Sequence, residues 1–289
     1  MISVLFNYAA PESLDEAVEL LREHTGSQIL AGGHSLLNGM KQQQTAPSML
    51  VDLRKIQALR GIEHYSDGSL HIGAMTTFVE IASDKGIQQN YTALAEAAYS
   101  TYDVQVRNWS TIGGNLVQGD LGADLPAAVL SFDASLNVFS LRRTRTIRAD
   151  EFIAGITTLA SDEIITSIDI PAAPRGCRSV YEKFKNHASG YAICGVAING
   201  VQAADTTLSN CRLVVTGVSK RAMRLPGVEA ALQGQQSEQE MSAAIALVGS
   251  EESFISDIAA SAEYRIYLIK VLIERALARI AIGTVNLAR

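Results

Sequence analysis

The chain has 289 residues, 47% of them hydrophobic, and carries 24 Lys and Arg against 30 Asp and Glu, a formal net charge of −6. That hydrophobic share and a mean hydropathy of +0.13 exclude a disordered chain, and the length calls for roughly two domains at about 150 residues each. The acidic balance argues against the basic face of a nucleic-acid binder and against a polybasic membrane anchor.

The N-terminal stretch (MISVLFNYAAPESLDEAVELL) has neither a basic n-region nor a cleavage site, so no secretory leader is expected. No run reaches the ~18 apolar residues of a membrane span. The expectation is a soluble, cytoplasmic chain. Ser13 and Glu16 form an S-x-x-E capping box, and Leu14, Ala17, Val18 and Leu21 recur behind it at helical spacing, which predicts a helix with one buried face. Residues 28–31 (QILA) read as a buried strand that breaks at Gly32-Gly33. Residues 49–53 (MLVDL) and 70–75 (LHIGAM) read as two more, the second entered through the turn chemistry of Ser66-Asp67-Gly68. Thr76 or Thr77 caps a short helix running to about residue 83, and the Ala-rich residues 91–100 are helical. A break is expected over residues 108–115 (NWSTIGGN). Residues 124–131 (DLPAAVLS) read as a helix with Pro126 in its first turn, where a missing N–H costs nothing. Strands follow at 136–141, 144–148 and 164–170, and Pro171, Pro174 and Gly176 mark a linker. Beyond it come strands at 192–198 and 211–217 and helices at 241–248 and 262–282. On the last helix Tyr267, Val271, Glu274 and Ala278 form one stripe, with Arg265, Arg275 and Arg279 off it. Strands dominate the middle without alternating strictly with helices, which favours an α+β class over a doubly wound sheet. No G-x-G-x-x-G and no G-K-[ST] loop supports a Rossmann or P-loop reading.

Two glycine pairs carry the chemistry most directly: Ala31-Gly32-Gly33-His34-Ser35 and Thr111-Ile112-Gly113-Gly114-Asn115. Without a Cβ, backbone N–H groups come close to a ligand, and successive N–H groups in a tight turn form an anion-binding nest. Ser35, Thr111 and Asn115 add polar groups beside each pair. Two nests fit a pyrophosphate gripped from both sides; two tight turns at strand ends fit the same residues. His34 has no second His, Cys or carboxylate at ligand spacing, so it is a ring over the turn rather than a metal ligand. Asp120 and Asp124 would share a face on a helix, and Asp124 is equally an N-cap for the helix after it. Lys185 ends the charge-alternating Tyr181-Glu-Lys-Phe-Lys185, which reads as a solvated edge strand. Cys177, Cys194 and Cys211 fall 17 residues apart, too far for iron–sulfur or zinc runs, and read as buried or half-buried thiols.

Taken in order, the pieces resemble a known family nearly end to end. They are residues 8–17 (YAAPESLDEA), 31–37 (AGGHSLL), 51–56 (VDLRKI), 72–77 (IGAMTT), 105–108 (QVRN), 111–115 (TIGGN), 123–134 (ADLPAAVLSFDA), 163–171 (EIITSIDIP) and 181–185 (YEKFK). Their order and spacing resemble the FAD-binding medium subunit of the molybdenum hydroxylases, the xanthine dehydrogenase and carbon monoxide dehydrogenase family. The resemblance implies an α+β chain. A two-lobed FAD-binding domain of the vanillyl-alcohol-oxidase type would occupy residues 1–176, with lobes of about 1–56 and 57–176. A small α+β C-terminal domain of the carbon monoxide dehydrogenase flavoprotein type would occupy 177–289. FAD would lie extended and non-covalently bound between the lobes. Ile29, Leu30, Ala31, Gly32, Gly33, His34, Ser35 and Leu36 match the first pyrophosphate loop, and Thr111, Ile112, Gly113, Gly114 and Asn115 the second. Asp124 matches a carboxylate that hydrogen-bonds the cofactor, Ile165 an apolar residue beside the isoalloxazine ring, and Lys185 a lysine near the flavin, where a cation favours the negatively charged reduced form. Tyr191 would also line the ring. Asn38-Gly39 departs from the apolar or proline-containing step that relatives have after the first loop.

The resemblance further implies an electron-transfer subunit without a catalytic residue or metal of its own. Its partners would be a large molybdopterin subunit and a small [2Fe–2S] subunit in an (αβγ)2 assembly, with electrons leaving to an external acceptor. The large subunit would set the substrate: purine, N-heterocycle, aldehyde or carbon monoxide. The competing reading is a stand-alone FAD oxidase or reductase on the same fold, which requires a catalytic His, Tyr or Arg set over the flavin; no such set is recognisable.

Overall fold

The computed structural model describes residues 5–202, 207–234, 237–250 and 253–282. Residues 1–4 of the N-terminal stretch and 283–289 of the expected C-terminal domain lie outside the described residues. Three sheets follow one another along the chain. The first is parallel, with β1 (Asn7–Ala9), β2 (Ser27–Leu30) and β3 (Met49–Asp52) in the order β1-β3-β2. Parallel strands need a crossover, and helix α1 (Leu14–Glu23) connects β1 to β2, which flank β3 on either side. Ser13 caps α1 by accepting from the Glu16 N–H, while Glu16 reaches to the Glu12 N–H instead of closing the box on Ser13. The expected face of Ala17, Val18 and Leu21 packs with Met49 and Val51. β3 is buried at every position, as a central strand covered on both faces must be. Its Asp52 is tolerated because it accepts from the Tyr8 hydroxyl at 2.8 Å and the Arg54 N–H at 2.9 Å. Helix α2 (Leu36–Lys41) follows the first glycine pair.

The second sheet is antiparallel: β4 (Ile62–His64), β5 (Leu70–Gly73), β6 (Ser135–Ser140), β7 (Arg143–Arg148) and β8 (Ile164–Ile170), in the order β4-β5-β8-β6-β7. Six helices are inserted between β5 and β6: α3 (Phe78–Ser83), α4 (Lys85–Asn90), α5 (Thr92–Tyr99), α6 (Val104–Trp109), α7 (Ile112–Gln118) and α8 (Leu125–Ser131). Thr77, not Thr76, caps α3 in a closed box with Glu80; the Thr76 hydroxyl instead pairs with the Gly61 backbone. The break expected over residues 108–115 is a correction: the second glycine pair lies in the first turn of α7, capped by Thr111. Glycine disfavours a helix by roughly 0.5–1 kcal/mol. Here the helix needs it, because a Cβ on Gly113 would stand 2.7 Å from the Ala74 Cβ. α8 is buried along its whole length and α5 from Thr92 to Ala98, and their small side chains are what let two helices lie between sheets. Helix α9 (Ala149–Ile153) follows β7.

The third sheet is antiparallel, with β9 (Cys177–Lys185), β10 (Ala192–Gln202), β11 (Leu208–Thr216) and β12 (Met223–Arg224) in the order β12-β11-β10-β9. Helices α10 (Pro226–Leu232), α11 (Glu238–Ala246) and α12 (Ala262–Ile282) share one core with it, while α5 and α8 approach through Tyr181, Ala197 and Val214. α12 overturns the expected stripe. It buries Leu268, Ile269, Leu272, Ile273, Ala276 and Ile280, while Tyr267 is 62% exposed. Arg265, expected off that stripe, lies on the buried face at 1% exposure. Its guanidinium donates to the Ile193 and Gly217 carbonyls and to Asp257, which compensates the loss of water. Cys194 and Cys211 are buried, with burial pushing both thiols up to about 12, and Cys177 is half-buried. Among the described residues no cluster of His, Cys, Asp or Glu could hold a metal ion, and no helix is long and apolar enough to cross a membrane.

Candidate functional site

The two glycine pairs meet. β2 ends at Leu30, and the chain turns through Gly33, whose φ of +81° only glycine adopts freely, before α2 begins. Gly32 lies so close to the backbone of Trp109 and Ser110 that a Cβ would stand 2.9 Å from the Ser110 Cα. Between the loops lies a cleft of about 390 Å³, lined by both pairs, by Leu53, Ala74 and Met75, and on the far side by residues 159–161 and 163–165. The two loops differ in what they present. Among the described residues the N–H groups of Gly33, His34, Ser35 and Leu36 make no protein hydrogen bond, which leaves a run of donors at the cleft. The nest expected at the second pair is absent: the Ile112, Gly113, Gly114 and Asn115 N–H groups bond to Thr76, Ala74 and Thr111. Asn115 contributes differently, since its buried Oδ1 accepts from nothing.

Ile29, Ala31, Gly32, Gly33, His34, Ser35, Leu36, Thr111, Gly113, Gly114, Asn115 and Ile165 all line this cleft. Leu30 and Ile112 do not; each is buried, Leu30 with Met40 and Leu50, Ile112 in the main core. Asp124 also lies outside the lining. It makes no capping bond to α8; its two oxygens accept from the Tyr181 hydroxyl at 2.5 Å and the Lys183 ammonium at 2.8 Å. Burial, with the Asp124 charge behind it, pushes the Tyr181 hydroxyl well above its ordinary value. β9 is the edge strand expected for residues 181–185, but it is not a solvated one, because the Lys183 side chain is only 7% exposed. Lys185 and Ile165 lie in different surroundings: Ile165 in the cleft, Lys185 with its ammonium 4.2 Å from the centre of the Tyr102 ring. Tyr191, half exposed across the β9–β10 turn, is near Asp120. Residues 159–161 of the wall had no motif to announce them, whereas Glu163 opens the EIITSIDIP piece.

The profile of the FAD binding domain in molybdopterin dehydrogenase matches residues 4–173, and that of the carbon monoxide dehydrogenase flavoprotein C-terminal domain matches residues 179–280. The nicotine 6-hydroxylase medium subunit of Paenarthrobacter nicotinovorans is 35% identical over 271 residues, covering 93% of this chain and 94% of that relative. The carbon monoxide dehydrogenase medium chain of Hydrogenophaga pseudoflava is 35% identical over 96% of this chain and 97% of its own. This chain is an FAD-binding medium subunit of the molybdenum hydroxylase family. Solved structures agree. Carbon monoxide dehydrogenase from H. pseudoflava lacking the Mo-pyranopterin moiety superposes with a TM-score of 0.89 at 34% identity, covering 96% of this chain and 98% of that one. Quinoline 2-oxidoreductase from Pseudomonas putida 86 gives 0.89 at 27% identity, covering 97% and 98%. The α+β expectation therefore stands, and this medium subunit is part of an oxidoreductase.

The cleft fits FAD on its own chemistry. A run of unpaired N–H groups suits a pyrophosphate. A buried amide oxygen without a donor suits a hydroxyl, which the cofactor's sugar and ribityl groups provide. The far wall of the medium subunit is held by Glu163, which pairs closely with Arg145 and lies 3.7 Å from the Arg143 guanidinium. Arg145 donates to Glu163 through Nε at 2.9 Å and Nη2 at 2.6 Å, and Nη2 also reaches the Thr158 carbonyl at 2.9 Å. Glu163 in turn accepts from the Ala160 N–H at 2.9 Å. Arg145 holds the Glu163 carboxyl below its usual range, so this contribution to stability is present above the unfolded carboxylate value and is lost as pH falls through the lowered one. Arg145→Ala leaves the buried Glu163 with only the more distant Arg143, 3.7 Å away, and the Ala160 N–H. It is expected to cost about 1–3 kcal/mol of stability and to weaken FAD binding roughly tenfold by loosening the wall. Thermal melts and FAD titration check the two effects separately.

Proposed function

We propose that this medium subunit is a relay: it takes electrons from a small [2Fe–2S] subunit and passes them through non-covalently held FAD to an external acceptor. One observation carries the reading. His34 and Glu163 are the titratable side chains lining the cleft, and Glu163 is committed to Arg145. Such a cleft, mostly apolar and small in its side chains, suits binding and shielding a redox cofactor. FAD, when bound, supplies a carrier that accepts and gives up electrons. The chain's own work is binding through the first loop, spacing through Gly32 and Gly113, and exclusion of water by the 159–163 wall. Asp124 and Lys185, read from the sequence as cofactor contacts, would act on the flavin from outside the main cleft, Lys185 as a fixed positive charge. The domain boundary near residue 176, the (αβγ)2 assembly and a cytoplasmic location belong to the same reading; free cysteines suit a reducing compartment. Substrate oxidation would then occur on a molybdenum-bearing partner, as the relatives' complexes suggest.

An absorption spectrum of the native complex before and after trichloroacetic acid tests this. Flavin bands released to the supernatant, above a broad iron–sulfur shoulder, are the expected result. Flavin retained in the precipitate would move the reading to a covalent oxidase linked at His34. A native preparation without flavin would end it.

A further inference from the structure

We infer that Lys183 and Tyr181 are positioning residues for the flavin: they hold Asp124 at a fixed place beside the cofactor and cancel its charge there; this rests on the reading of Asp124 as a cofactor contact. The three side chains come from the two matched domains and are buried together. Asp124 stands before α8, and Tyr181 and Lys183 alternate along β9, so they point to one face. The Tyr181 hydroxyl donates to one carboxylate oxygen at 2.5 Å and the Lys183 ammonium to the other at 2.8 Å. The ammonium also reaches the Ser100 carbonyl at 3.3 Å. The Asp124 and Lys183 side chains are each only 7% exposed.

The carboxylate has a fixed place relative to the cleft. Asn115, Val117 and Gln118 of α7 line it, and Gly119 then turns the chain at a φ of +58° into the run that ends at Asp124. The third sheet grips that run. The Thr216 hydroxyl reaches the Leu121 and Ala123 carbonyls at 3.2 and 2.8 Å, the Gly217 N–H donates to the Leu121 carbonyl at 2.9 Å, and the Ala192 N–H donates to that of Gly122 at 3.3 Å. Stability alone does not account for the ion pair. The attraction within a buried pair barely repays the loss of water, and apolar side chains of similar size would hold the sheet as well. What the pair supplies is zero net charge at a fixed point. A lone carboxylate beside FAD would oppose the negatively charged reduced form, a lone ammonium would favour it, and a poorly screened interior makes either effect large. Burial pushes the Tyr181 hydroxyl well up, so it stays a donor and adds no charge.

The test measures the reduction potential of FAD in the complete complex, for the parent and for Lys183→Met, Asp124→Asn, the two combined, and Tyr181→Phe. Lys183→Met should bind the reduced flavin about tenfold more weakly relative to the oxidised form, a fall of about 30 mV for a two-electron couple. Asp124→Asn should raise the potential, and the combined variant should return to within about threefold of the parent's preference. Tyr181→Phe removes a bond but no charge, so FAD affinity should drop about threefold with the potential unmoved. Loosened packing alone would shift both single variants in one direction, and the combined variant at least as far as either. That result, or a potential equal to the parent's in every variant, would overturn the inference. Lys183→Met strands a buried carboxylate and is the variant most exposed to misfolding. Should it not fold, Asp124→Asn, of nearly the same shape, reads the balance alone, and a lowered or unmoved potential overturns the inference. A native, unsubstituted complex without flavin would instead end the relay reading, and the positioning role with it; normal flavin content with unmoved potentials strikes the positioning role alone.

Discussion

Gly32→Ala is expected to reduce FAD affinity by about two orders of magnitude, because it forces apart the two loops that define the cleft. The new Cβ would fall inside the van der Waals envelope of the Trp109 carbonyl oxygen, 2.9 Å from the Ser110 Cα and 3.0 Å from the Trp109 carbonyl carbon. All three are backbone atoms, so no side chain can swing away. Only separation of the first loop from the chain entering α7 relieves the clash. Gly33 is the informative comparison. Its φ of +81° makes alanine strained there, by roughly 1–2 kcal/mol, but the atom its Cβ would meet first is the Leu37 Cδ1 at 3.0 Å, the end of a flexible side chain. Gly33→Ala should therefore lower the melting temperature with a smaller effect on FAD, whereas Gly32→Ala should lose FAD out of proportion to stability. The flavin-to-protein absorbance ratio and titration of the apo chain with FAD separate the two. Equal FAD affinity in Gly32→Ala and the parent would mean that loop contact does not set the width of the cleft.

The contrast between the glycine pairs shows what local sequence can and cannot reveal. Gly32-Gly33 ends an apolar run, and its reading as a glycine turn beside a ligand site needed nothing distant. Gly113-Gly114 looks the same locally, yet it is the first turn of α7, because what decides it is Ala74 on another segment. Strands such as β3 and β8 were readable because each is a short apolar run with a clear boundary. The face of α12 was misread because a buried arginine is acceptable only when carbonyls wait for it, and Ile193 and Gly217 lie 72 and 48 residues away. The far wall of the cleft was legible only in part: Ile165 lay in a recognisable piece, but the pairing of Arg145 with Glu163, 18 residues apart, was not readable from either residue alone. Asp124 shows the reverse error. Its place before Leu125-Pro126 has the pattern of an N-cap, but Tyr181 and Lys183 take its carboxylate.

Arg279→Leu should be strongly destabilising, and its cost should depend on pH. One guanidinium from α12 donates to Glu96 on α5 and, at 2.8 Å, to Glu182 on β9. Glu96 also accepts from the Tyr181 N–H at 2.9 Å and is only 6% exposed. Removing the cation leaves two carboxylates facing each other in the interior, which costs about 3–5 kcal/mol. The buried Arg279 Nε, which has no partner, places the expectation at the lower end of that range. At about 2–4 °C per kcal/mol for a chain of this size or slightly smaller, the melting temperature should fall by roughly 10 °C. Burial already holds the Glu96 carboxyl above its ordinary value of 4.5, against the opposing pull of Arg279 and the Tyr181 N–H. The folded state therefore keeps this proton to a higher pH than the unfolded chain does. The contribution of Glu96 to stability is full below the unfolded value and falls as pH rises through the folded one. Without Arg279 the folded value rises further, so the variant should lose more at pH 8 than at pH 5.5, by about 1.4 kcal/mol per unit of extra shift. Adding Glu96→Gln should recover part of the loss and flatten its pH dependence. Melts of the four proteins at both pH values close the cycle. The same deficit at both pH values would mean that Glu96 is not the group left exposed to the interior. The junction matters beyond stability, because β9, which it holds against α5, also carries Lys183 and Lys185: a loosened junction should disturb the positive charge assigned to the flavin before it empties the cleft.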